Sequence, residues 1–192
     1  MHCHTQEKDS QAQGKTKARG GDLNKIALVG NPNVGKSVIF GLLTGRYVTV
    51  SNYPGTTVEV SQSNVAIEGQ RFLIVDTPGV NSLLPMSEDE RVTRDILLDE
   101  RPQAVLQVGD AKNLKRTLAI TSQLAEMGLP VVLDLNMMDE AMDRGISVDM
   151  DSLKDIIGAD VTGTVAPERK GLKELRAAPA RLPRGSSRAR NG

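Results

Sequence analysis

The chain has 192 residues, enough for one domain with a proper core, and its 24 basic and 24 acidic side chains cancel to a formal charge of zero. Between Lys25 and Leu175 acids outnumber bases 21 to 15, and aromatic residues make up 2% of the chain, which speaks against a broad nucleic-acid surface of positive charge and stacking rings. The single cysteine, Cys3, excludes an internal disulfide, and no apolar run approaches the roughly 18–20 residues that cross a bilayer, so the reading is of a soluble, cytoplasmic chain without a secretory leader.

Residues 1–24 are polar, mixed in charge and without periodicity, which predicts a disordered arm. Within it His2-Cys3-His4 offers soft metal ligands, but three adjacent residues cannot close a tetrahedral site alone. From Lys25 the pattern changes. An apolar run over 25–29 predicts a buried strand, and residues 36–44 a helix stopped by Gly45. Residues 46–57 are rich in turn formers and predict a loop. Strands follow at 58–67 and 72–75, joined by a hairpin turn at Glu68-Gly69-Gln70. A helix over 88–99 puts Val92, Ile96 and Leu97 on one face, and a strand is predicted at 104–108. A strong helix over 113–127 has Leu114, Leu118, Thr121, Leu124 and Ala125 at helical spacing, with Gly128 as its stop. A strand at 131–135, a short helix at 150–157, a last strand at 159–165 and a last helix at 172–177 complete the series. This alternation predicts an α/β fold over residues 25–175, a mostly parallel six-stranded sheet flanked by helices, with a ligand at the carboxyl ends of the strands. The stretch 176–192, with five arginines and no acid, predicts disorder or a foreign extension.

Between the first strand and the first helix lies Gly30-Asn31-Pro32-Asn33-Val34-Gly35-Lys36-Ser37, a complete G-x-x-x-x-G-K-S loop in its required strand–loop–helix context, followed by Val38. Its glycines let the loop curl so that successive amides point at phosphate oxygens, and the helix N-terminus adds partial positive charge. Lys36 is placed to reach the β- and γ-phosphates and Ser37 to ligate Mg²⁺. Asp76-Thr77-Pro78-Gly79 follows the hairpin, where Asp76 can hold a water on Mg²⁺ and the Gly79 amide can meet the γ-phosphate. Asn136-Met137-Met138-Asp139 ends a strand, and a carboxylate such as Asp139 accepts two hydrogen bonds from guanine that adenine cannot offer. Ala166 in Thr164-Val165-Ala166 is placed to give its amide to the guanine O6. Helix capping is the competing reason for Asn136 and Asp139. Ser51-Asn52-Tyr53-Pro54-Gly55-Thr56-Thr57 has the makings of a switch loop that ligates Mg²⁺ through a threonine. Val80 stands where many GTPases carry a glutamine that orients the attacking water.

These motifs, with the run from Asp110-Ala111-Lys112-Asn113-Leu114 through Gln123-Leu124 and Pro130-Val131-Val132 to Asn136-Met137-Met138-Asp139-Glu140-Ala141, resemble the cytosolic GTPase domain of FeoB, the prokaryotic ferrous-iron transporter family. The resemblance covers about residues 25–175. It implies a phosphate-loop NTPase of the Ras-like G-domain class that binds GTP and GDP with Mg²⁺ and hydrolyses GTP slowly. It implies Thr57 as the Mg²⁺ ligand of the switch loop, with Thr56 as runner-up, alongside Ser37 and Asp76. It implies Asn33 as the ligand of a K⁺ ion that stimulates hydrolysis. It makes Asn33, Lys36, Thr57 and Gly79 the catalytic set. The implied partners are a helical domain and a multi-helix membrane permease for Fe²⁺, in a full-length protein at the cytoplasmic face of the inner membrane. A ribosome-associated GTPase, of a type that also lacks the glutamine, is the alternative, and it lacks here the basic, aromatic-interleaved segment such proteins append. A nucleotide-binding module without meaningful turnover stays open.

Overall fold

The computed structural model describes residues 24–45 and 47–182; His2-Cys3-His4, the rest of the N-terminal arm and residues 183–192 lie outside them. Seven strands form one sheet in the order β2-β3-β4-β1-β5-β6-β7. β1 (Asn24–Gly30) is central, parallel to β4 (Gln70–Asp76) on one side and to β5 (Ala104–Asp110) on the other. β6 (Val131–Asn136) and β7 (Asp160–Gly163) continue the parallel half, whereas β2 (Thr49–Asn52) and β3 (Glu59–Ile67) are antiparallel.

Strand alternation divides the core between two faces. Ile26 and Leu28 of β1 pack with Ile39, Phe40 and Leu43 of α1 (Lys36–Thr44) and with Leu175 and Ala178 of α6 (Leu172–Arg181). Ala27 and Val29 pack on the opposite face with Leu97 of α2 (Glu88–Asp99) and Ile120 and Leu124 of α3 (Leu114–Glu126). Leu133 and Leu135 of β6 meet Ala141 of α4 (Met138–Asp143) and Leu153 of α5 (Met150–Ile157). β1, β4, β5 and β6 end at Gly30, Asp76, Asp110 and Asn136, so the predicted ligand-binding residues stand along one edge of the sheet.

Three expectations need correction. The sheet has seven strands rather than six, because residues 49–52 form β2 inside the expected loop; all four are exposed, and only their pairing with β3, from Thr49↔Gln62 to Asn52↔Glu59, makes them a strand. Residues 176–181 belong to α6 rather than to a disordered tail. Leu175, Ala178 and Pro179 are buried on one face, a stripe that the alanines and arginines around it conceal in the sequence. An element that no expectation covers, the short helix α4, follows the Asn136 motif directly, starting from Met137 in the left-handed conformation. The hairpin turn is tighter than expected: Glu68 and Gly69 both have positive φ, 48° and 76°, as a two-residue turn between right-twisted strands requires.

Candidate functional site

The phosphate loop is closed by long-range backbone and side-chain contacts. A Cβ at Gly30 would overlap the Val108 carbonyl oxygen of the neighbouring strand, so glycine alone lets the loop leave β1 here. Gly35 has φ 84°, and a Cβ there would strike Asn136 Nδ2. Lys36 is buried, and its ammonium donates to Asp76 Oδ1 and to the Thr77 carbonyl. The Ser37 hydroxyl lies 3.3 Å from Asp76 Oδ2. Val80 N–H donates to Gly30 O at 3.0 Å while Asn31 Nδ2 donates to Val80 O at 3.1 Å, which fastens Asp76-Thr77-Pro78-Gly79 alongside the loop. The resulting cleft, about 440 Å³, is lined by Asn31, Pro32, Asn33, Gly35, Lys36, Ser37, Val38, Gly79 and Asp89.

At the other end of the loop, Asn136 ties three segments together. It is 2% exposed, its Nδ2 donates to Val34 O at 3.0 Å, and its Oδ1 accepts from Ala166 N–H at 3.1 Å. These two backbone partners fix which way the amide points, since the reverse assignment would set an NH₂ against an N–H. Thr164 Oγ1 lies 3.2 Å from the same Oδ1. The residue that reads as a base-recognition asparagine therefore holds the phosphate loop and the Thr164-Val165-Ala166 segment in one rigid piece. Capping is not its role, because the N-cap of α4 is Met137. Asp139 sits half-buried in the first turn of α4, where a carboxylate also complements the helix dipole.

A model of the FeoB N-terminal family, described as ferrous iron transport protein B, matches residues 24–178. The chain belongs to the ferrous iron transport protein B family. It is 42% identical over 156 residues to an Fe(2+) transport protein A/Fe(2+) transporter FeoB fusion protein of Porphyromonas gingivalis, covering 81% of this chain and 18% of that one. It is 39% identical to Fe(2+) transporter FeoB of Legionella pneumophila, covering 80% of this chain and 21% of the relative. The chain thus spans about a fifth of the length of these curated relatives. Among solved structures it resembles the FeoB G-domain of Methanococcus jannaschii, with 41% identity, a TM-score of 0.72, and coverage of 82% of this chain and 95% of that one. An S. thermophilus NFeoB mutant bound to GDP gives 38% identity and a TM-score of 0.78 over 83% of this chain and 61% of that one. Both place the fold with Ras-like phosphate-loop G domains. No helix among the described residues of this FeoB domain is long and apolar enough to cross a membrane.

Placed on this FeoB fold, the remaining sequence-predicted residues divide into two groups. Asn31, Pro32, Asn33, Gly35, Lys36, Ser37, Val38 and Gly79 share the cleft, and Asp76 reaches it through Lys36 and Ser37. Gly55, Thr56 and Thr57 stand apart, in the turn between β2 and β3. There the Thr56 hydroxyl donates to Tyr53 O at 2.9 Å and accepts from Val58 N–H at 3.2 Å, whereas Thr57 is exposed. The Ala166 amide, expected to face guanine O6, is donated to Asn136 Oδ1 instead. Val80 is 1% exposed and packs in the core with Ala27, Val29 and Leu83, so its side chain is turned away from the cleft.

Sequence reasoning missed Asp89 and Lys112. Asp89 reaches the cleft from the first turn of α2, which Ser87 caps by accepting from Glu90 N–H at 3.2 Å, and Ser-x-x-Glu is a legible helix start. The Glu90 carboxyl returns to accept from Met86 N–H at 2.9 Å, and that bond, first among several to backbone amides, holds its pKa below the ordinary value. Lys112 extends from the loop after β5 to Met137 Sδ at 3.1 Å and to Glu140 Oε2 at 2.5 Å, bracing the segment between β6 and α4 from the side. Its signal in the sequence is the Asp110-Ala111-Lys112-Asn113 run, which carries family likeness but does not show the contact.

Proposed function

We propose that this domain binds GTP and GDP in preference to adenine nucleotides, hydrolyses GTP, and serves as the cytoplasmic switch of a ferrous-iron transporter whose permease is a separate part of the protein. The observation that carries the reading is the Asn136 bridge, because it joins a phosphate cradle to a base-reading segment at fixed distance. The relatives support it: the S. thermophilus structure is bound to GDP, and a T. maritima FeoB cytosolic domain at 35% identity and a TM-score of 0.79 is in a GMPPNP form.

In this reading the amides of residues 31–37 hold the β- and γ-phosphates, and Lys36 exchanges Asp76 and Thr77 for phosphate oxygens. Asp139 accepts from guanine N1–H and the exocyclic amine, and Met137, Thr164, Val165 and Ala166 wall the base. Reaching O6 with the Ala166 amide requires that amide to be shared with, or released from, Asn136. Mg²⁺ fits the hard oxygen donors Ser37 and Asp76, 3.3 Å apart, and when bound supplies positive charge against the phosphates. Thr57 would join these ligands when the β2–β3 turn moves toward the cleft, and it suits this better than Thr56, whose hydroxyl is engaged within the turn. Asn33, exposed at the cleft with φ 66°, has an amide oxygen that would serve as a ligand to K⁺. With Val80 buried, the attacking water has to be positioned by main-chain groups near Gly79 and the switch turn.

Calorimetry with GTP, GDP and ATP tests the binding claim, and equal affinity for GTP and ATP would overturn it. Single-turnover hydrolysis in matched K⁺ and Na⁺ buffers tests the chemistry. Faster turnover in K⁺ is expected, and Asn33→Ala should abolish the difference while leaving nucleotide affinity nearly intact.

A further inference from the structure

A buried carboxyl group lies on β6 two residues before Asn136, on the same face of the sheet. Asp134 is fully buried on β6, opposite Val108 of β5 and Thr162 of β7. Its Oδ1 meets Thr162 Oγ1 at 2.9 Å and its Oδ2 meets Thr164 Oγ1 at 2.8 Å. Thr164 Oγ1 in turn is 3.2 Å from Asn136 Oδ1.

Proton counting decides what this chain of oxygens can be. Asp134 Oδ2, Thr164 Oγ1 and Asn136 Oδ1 make two contacts, and each contact needs one hydrogen. Asn136 Oδ1 brings none, and the Thr164 hydroxyl brings one. An ionised Asp134 would draw that hydrogen, leaving Thr164 Oγ1 and Asn136 Oδ1 as two acceptors face to face. A protonated Asp134 completes the chain: it donates to Thr164, and Thr164 donates to Asn136.

We propose that Asp134 is a positioning residue for the nucleotide site, acting in its protonated form through Thr164 to hold the Asn136 side chain in its bridging orientation. The proposal rests on the base-reading role given above to the Asn136 segment. Its surroundings favour the acid form. Burial pushes the Asp134 carboxyl up to about 7, against the smaller opposing effect of its bonds from Thr164 and Thr162. The charged groups of the elements around it are committed elsewhere. Lys36 of α1 is on Asp76, Asp110 of β5 accepts from Lys112 N–H, Asp160 of β7 pairs with Lys154, and Glu168 pairs with Lys170. On α6, Lys173, Glu174, Arg176 and Arg181 are exposed. The relay is therefore closed below neutrality and opens as pH rises through about 7.

The test compares wild type with Asp134→Asn and Thr164→Val from pH 6 to 8.5, by fluorescent-GDP dissociation and by NMR of the nucleotide-free domain. Asparagine keeps the relay without a titrating proton, since its NH₂ donates to Thr164 and its carbonyl accepts from Thr162. The wild-type dissociation rate should rise about fivefold over this range, the worth of one hydrogen bond, while Asp134→Asn stays slow throughout. Titrations of the nucleotide itself are common to both proteins and cancel in the ratio. Thr164→Val should be fast at every pH. In the free domain, the Asn136 side-chain and Ala166 amide signals should titrate in wild type and not in Asp134→Asn. Parallel profiles for these two proteins would overturn the relay. A folded domain that holds no guanine nucleotide would overturn the functional reading instead, and the amide titration would still decide the relay.

Discussion

Replacing Asn136 with alanine tests the bridge on which the site depends. The side chain is 2% exposed and gives one hydrogen bond to Val34 O at 3.0 Å and takes one from Ala166 N–H at 3.1 Å. Both partners belong to buried residues, Val34 at 3% and Ala166 at 2% exposure, so neither group has ready access to bulk water. An orphaned buried polar group costs roughly 1–3 kcal/mol, which puts the sum for two at about 2–6 kcal/mol. A water entering the space left by the amide would recover part of this, so a loss of about 2–4 kcal/mol is expected. That is a large share of the ~5–15 kcal/mol that holds a typical domain together, yet leaves the variant folded. Urea unfolding followed by circular dichroism measures it, with an unchanged m-value showing that the loss is in stability. GTP affinity should fall in parallel, because the phosphate loop and residues 164–166 are no longer held at one distance. Asn136→Ala and Thr164→Val should also couple in a double-mutant cycle by more than about 0.5 kcal/mol. A stability loss under about 0.5 kcal/mol together with unaltered GTP affinity would refute the reasoning, since the cost of unpaired buried groups is its whole basis.

Asp139→Asn should weaken GTP binding by at least about a hundredfold and leave weak ATP binding unchanged, because the guanine N1–H and amine lose their acceptor; calorimetry checks this, and unchanged GTP affinity would remove Asp139 from the base site. Gly30→Ala drives a Cβ into the backbone oxygen of Val108, so β1 and β5 have to part at the loop. A loss of about 3 kcal/mol or more and failure to bind nucleotide are expected, and a thermal melt like that of wild type would contradict the close approach. Leu175→Ala empties a site that is fully buried against α1 and the sheet, at about 2–5 kcal/mol. A loss under about 1 kcal/mol would contradict the packing of α6 against α1 and the sheet.

Much of this FeoB domain is legible in one dimension because much of it is local. The span of α1 from Lys36 to its stop at Gly45, the start of α2 behind Ser87 and the extent of α5 all follow from residues within one or two turns of each other. The phosphate loop is contiguous, so its eight residues announce the chemistry before any fold is known. What the sequence left undetermined depends on residues far apart in the chain. β2 has no buried face and exists only by pairing with β3. The second half of α6 is weakly apolar, and its Ala178 and Pro179 gain meaning only once α1 and the sheet present a surface to cover. Val80 could be read as a missing glutamine, but only packing shows that the side chain at that position faces the core. Asn136 is separated by 102 positions from the loop it holds, and Asp134 by 30 from the threonine that links it to Asn136. Local propensity and spacing set which elements form and which motif binds phosphate. Which polar groups become each other's partners is set by burial, because a group removed from water has to find its hydrogen bond among whatever the fold has brought beside it.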